Sequence, residues 1–77
     1  MKERYTVLPM CFYVEGELFE SKLRLNLFQV EGYVETTFSY SDDDGIPVES
    51  EGTKIFTKSG YEYDILMPVK EFEKLMG

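Results

Sequence analysis

The sequence predicts an α+β fold: a small five-stranded antiparallel meander, as an open sheet or a half-barrel, with one short C-terminal helix. Three observations carry this. Apolar and polar residues alternate with period two through most of the chain, glycine-centred turn signals separate the alternating runs, and the period changes to that of a helix after Pro68.

The first strand is expected over residues 4–14, a run rich in aromatic and β-branched residues whose apolar side chains fall on both faces. Pro9 within it implies a bulge or an edge position, because proline brings no N–H to a ladder. Val14-Glu15-Gly16-Glu17 reads as a tight turn into a second strand, residues 19–29. There Phe19, Leu23, Leu25 and Leu27 share one face while Glu20, Lys22, Arg24 and Asn26 share the other. Val30-Glu31-Gly32-Tyr33 repeats the turn chemistry and leads to a third strand, residues 33–40, with Val34, Thr36, Phe38 and Tyr40 on one side. Residues 41–52 lack a strand period, carry two glycines and a proline, and are expected as a long acidic loop. Residues 53–58 and 61–67 then pair as a hairpin through Ser59-Gly60, with Tyr61, Tyr63, Ile65 and Met67 on one face. In residues 68–76, Pro68 suits the first position of a helix, and Val69, Phe72, Leu75 and Met76 fall on one side. So short a helix is marginal alone and must dock its Phe72 face on the sheet.

Seventy-seven residues make one domain, 1–77, which buries roughly 60% of its unfolded surface. The one cysteine, Cys11, lies in an apolar run and is expected as buried packing in a reducing compartment. The chain has no histidine, the usual general base and commonest metal ligand. The apolar run Val7 to Val14 is short, broken by Pro9 and followed by no small-residue cleavage site, so a secretory leader is not expected. No stretch reaches the ~18–20 apolar residues of a membrane span, and a soluble cytoplasmic protein is the expectation. Fifteen acidic against eight basic residues leave a net charge of −7. That sign disfavours direct binding of nucleic acid or of an anionic membrane, and any charge-selected partner should present a basic surface.

Two kinds of chemistry are weighed and set aside. With Gly45 as the sixth residue of a calcium loop, Asp42, Asp44 and Glu51 occupy ligand positions, but Tyr40 falls at the first position and no helical pattern flanks the loop. Carboxylate catalysis needs two acids in different environments, and none sits in a strongly perturbing apolar context; Glu62 and Asp64 read as the outer face of a strand. No catalytic residue, metal site or cofactor is therefore assigned, and the chain is expected not to be an enzyme.

The charge layout is more informative. No Lys or Arg occurs between Arg24 and Lys54, whereas Glu31, Glu35, Asp42, Asp43, Asp44, Glu49 and Glu51 all lie in that interval. Gathered on the third strand and its flanking loops, they would form a one-sided negative field that steers a basic partner. Tyr33 and Tyr40 lie alongside and are expected to stack or hydrogen-bond in the partner's groove. These nine residues are the candidate partner-binding site. The function expected is that of a non-catalytic inhibitor, a nucleic-acid-mimicking decoy for a basic nucleic-acid-binding protein; its size, charge and lack of catalytic chemistry resemble in type the anti-CRISPR and anti-nuclease proteins of phages. The alternative is a small structural or adaptor subunit that associates through a sheet edge or its tyrosine face, a homodimer being one such form, since one helix cannot cover all the apolar surface.

Overall fold

The structure is a computed structural model that describes residues 4–77. It holds a five-stranded antiparallel open sheet of β1 (Tyr5–Val14), β2 (Glu17–Asn26), β3 (Val30–Ser41), β4 (Pro47–Thr57) and β5 (Glu62–Ile65), followed by helix α1 (Val69–Met76). The spatial order is β2-β1-β5-β4-β3. The meander is therefore continuous only from β3 to β5. The β1–β2 hairpin attaches to it through β5, and β2 and β3, consecutive in sequence, lie at opposite edges.

Local chemistry explains each reversal. Between β1 and β2, Glu15 (φ 51°) and Gly16 (φ 84°) both take left-handed backbone, the requirement of a two-residue hairpin turn matched to strand twist. The chain leaves β2 by a 3-10 turn, Leu27–Gln29, in which the Asn26 side chain accepts from the Phe28 N–H at 3.0 Å. The turn expected at Glu31-Gly32 lies instead inside β3, where the register against β4 shifts between Val30 and Gly32. A glycine in a strand marks a bulge as readily as a turn, and Asn26 performs the reversal four residues before the bulge begins.

The long loop expected at residues 41–52 is another correction. Only Asp42–Ile46 turns; from Ser41↔Pro47 to Thr36↔Gly52 the chain is paired strand. Pro47 sits at the first strand position, where its missing N–H is tolerated. The run's polarity reflects a hairpin whose α1 face, with Glu49 and Glu51, is exposed at that end, while Val48 and Ser50 on the other face are only half-buried. Pro9 makes no bulge: β1 and β2 stay in register through Pro9↔Lys22, and on its other side the Pro9 carbonyl accepts from Leu66 N–H at 2.7 Å.

The core lies between the sheet and α1. Phe72, Leu8, Ile55 and Ile65 are fully buried, joined by Leu25 and Leu27. Tyr33 meets Phe72 edge-on with ring centroids 5.1 Å apart. Thr53 donates its hydroxyl to the Met67 carbonyl at 2.8 Å, which fixes the segment leading into α1. Arg4 donates to the Leu75 carbonyl at 2.6 Å, satisfying an acceptor that a helix end leaves open.

The opposite face of the sheet buries a smaller set nearer the hairpin turns, Cys11 and Phe38. A β-carbon on Gly52 would overlap the Phe38 ring and come within 2.9 Å of the Ile65 carbonyl, so the ring packs where a side chain would otherwise stand. Tyr13 crosses from β1 to the edge strand β3. Its hydroxyl donates to the Ser39 carbonyl (3.0 Å) and accepts from the Ser39 N–H (3.2 Å). The whole is elongated, 48 × 23 × 18 Å.

Candidate functional site: the acidic hairpin

The candidate residues lie along the β3–β4 hairpin but do not form one patch. Glu35 stands opposite Thr53, Glu51 opposite Thr37 and Glu49 opposite Ser39, which places all three on the face that carries α1. All three are exposed. They follow one another at two-residue steps, about 6.6 Å each, toward the turn that holds Asp42, Asp43 and Asp44. Glu31 sits at the far end of β3, eleven residues from Asp42 and roughly 36 Å along the strand. It is exposed, but it is not part of that row.

The two tyrosines are committed elsewhere. Tyr33 packs against Phe72 and belongs to the core shell rather than to a free surface. Tyr40 is half-buried, with its hydroxyl 3.1 Å from that of Ser50. Asp42 also has a structural task. One of its carboxylate oxygens accepts from the N–H of Asp44 (2.9 Å) and of Ile46 (2.8 Å), holding the turn closed, with Gly45 at φ 78°. Asp43 and Asp44 are exposed beside it.

Two acids outside the candidate set join this end. Glu17, with Gly16 and Leu18, lines a cleft of about 300 Å³ whose other wall is Tyr40, Ser41, Asp42 and Asp43. Glu15 precedes Gly16 in the same β1–β2 turn. No local signal marks Glu15 and Glu17 as neighbours of Asp42; the proximity follows from how the two hairpins lie in the finished sheet. The tip of the molecule is thus more negative than the β3–β4 sequence alone implies. At the other end of the row, Lys70 joins Glu35 and Glu51 around a second cleft and supplies one compensating charge.

The remaining acids and the thiol show no reactive arrangement. Asp64 faces Lys54 across β5 and β4 at 3.8 Å. Cys11 is buried, and its Sγ lies 3.6 Å from the Asp64 carbonyl oxygen. Burial first, then the negative charges of Asp64 and Glu20, push its thiol up from 9.0 to about 11. At pH 8 an alkylating reagent should thus label the folded chain at least about 100-fold more slowly than the denatured chain, read by mass spectrometry. Equal rates would show an accessible thiol. The native state holds this proton where the unfolded chain has lost it, so stability should be flat below pH 9 and fall from there to about 11, relative to Cys11→Ala.

Among the described residues, no group of three or more His, Cys, Asp or Glu is placed to hold a metal ion, and no helix is long and apolar enough to cross a membrane. No family model matches the chain, and comparison with curated proteins and with solved structures returns no match.

Proposed function

We propose that this chain is a non-catalytic, cytoplasmic protein-binding module whose β3–β4 hairpin occupies the basic, nucleic-acid-binding surface of a protein partner, as an inhibitor or decoy. The observation that supports this reading is the row Glu35, Glu51, Glu49 running at strand spacing into the Asp42–Asp44 turn. Regularly spaced carboxylates on a rigid ladder present fixed negative charge to a groove built for phosphates, with little ordering entropy to offset. An inhibitor of anti-CRISPR or anti-nuclease type acts in this way. Glu31 and the tyrosines contribute less, because one is remote and the others are held within the fold.

The test uses the purified chain as bait in native lysate, with a variant in which Asp43, Asp44, Glu49 and Glu51 are changed to lysine. Asp42 is spared because it closes the turn. A nucleic-acid-binding protein should be captured, its binding should weaken on the order of 10²-fold between about 50 and about 200 mM salt, and added duplex should compete. The variant should capture nothing. Capture indifferent to salt, duplex and charge reversal would overturn the decoy reading. It would favour instead a structural or adaptor subunit bound through the sheet face that α1 leaves open, where Val7 and Val34 are about half exposed.

A further inference from the structure

Two of the positive charges of this acidic chain stand together, away from the acidic turn. Lys22 and Arg24 are exposed on the edge strand β2, pairing across the ladder with Pro9 and Val7. Among the described residues neither forms an ion pair. Beside them Tyr5 and Val7 are 58% and 52% exposed, on the face of β1 away from α1. Tyr5, Thr6, Val7 and Arg24 line an open groove of about 700 Å³, large enough for a turn of polypeptide. Its walls are mainly apolar, and its charged group is a guanidinium, which pairs well with a carboxylate.

The opposite end of the molecule carries the complement. In the β3–β4 turn, Ile46 is 56% exposed and is separated from Asp42, Asp43 and Asp44 only by Gly45. An aliphatic side chain flanked by carboxylates matches an apolar groove flanked by cations in both hydrophobic and electrostatic character. The turn cannot reach the groove of its own chain. It lies beside the β1–β2 turn, and Val7 is seven residues, about 23 Å along β1, from Val14 at that turn.

We propose that the Tyr5–Val7–Arg24 groove is a docking site for the Asp42–Ile46 turn of a second copy of this chain. The contact is head-to-tail. Each copy then retains a free groove at one end and a free turn at the other, so association does not stop at a dimer unless a ring closes. A docked turn is also withdrawn from any other basic partner, which makes self-association a competitor of the proposed inhibitory contact. The inference does not rest on that activity, because the groove is distinct from the acidic row.

Sedimentation of the purified chain over a range of concentrations tests this. At about 50 mM salt the average mass should climb with concentration past twice 9.0 kDa, and at about 500 mM it should fall back to that of one chain. Arg24→Glu should remain monomeric, as should the double variant Asp43→Lys, Asp44→Lys; both alter exposed positions, and circular dichroism confirms their folding. An equimolar mixture of the two variants should assemble again, since each supplies the charge its partner's site now needs. A wild-type chain of 9.0 kDa at every concentration would overturn the proposal. So would a salt-insensitive dimer, or a mixture that stays monomeric. Capture of a basic partner by Arg24→Glu would leave the inhibitory reading standing, so the two failures are distinguishable.

Discussion

Phe72→Ala is expected to lower the free energy of unfolding by about 3–5 kcal/mol, the usual cost of emptying a buried aromatic site. The ring is fully buried, meets Tyr33 edge-on and is the one fully buried side chain of α1. A chain of 77 residues has a total stability of roughly 4–11 kcal/mol, so this single change removes about a quarter of it or more. Eight residues do not hold a helix in water unaided, and the variant should lose α1 before it loses the sheet. Urea titration followed by circular dichroism measures the total. A loss below about 1 kcal/mol would show that the helix contributes little to the core.

Gly52→Ala is the second large effect, and it acts by insertion rather than removal. The new methyl has no room: the Phe38 ring occupies its place and the Ile65 carbonyl stands 2.9 Å away. The ring can give way only by leaving a buried position, since Phe38 is 4% exposed. We expect a loss of about 2–3 kcal/mol, the upper range for overpacking. Phe38→Leu in the same chain should return part of it, because a smaller side chain clears the ring's share of the overlap and leaves the carbonyl's. If Gly52→Ala alone is neutral, the two strands do not approach as closely as described.

The core was legible in the sequence where large aliphatic side chains recur on one side of an element. Leu23, Leu25 and Leu27 alternate cleanly, and Val69, Phe72, Leu75 and Met76 keep a helical spacing. Residues 47–52 were not legible as strand, because the side that packs inward, Val48, Ser50 and Gly52, carries one apolar side chain and little hydrophobic contrast with Glu49 and Glu51. Gly32 was ambiguous for a related reason: turn and bulge both call for glycine, and only the pairing of β3 with β4 decides between them. The candidate site divides in the same way. That Glu35, Glu49 and Glu51 share a face follows from strand parity once β4 is known to begin at Pro47. That Glu17 stands across a cleft from Asp43, and that Tyr33 is spent on Phe72, are consequences of long-range packing, on which local patterns are silent.

The strand order has a consequence for synthesis. β5 follows both hairpins in the chain, yet it is the strand through which the β1–β2 hairpin joins β4 and β3. Until residues 62–65 emerge, the nascent chain holds two hairpins with no ladder between them, and isolated hairpins are marginal in water. Neither can bury Leu8 or Ile55 completely before β5 and Phe72 arrive. Folding is thus withheld until residues 62–72 are made and is completed by one four-residue strand, the keystone of an arch whose two sides are built first.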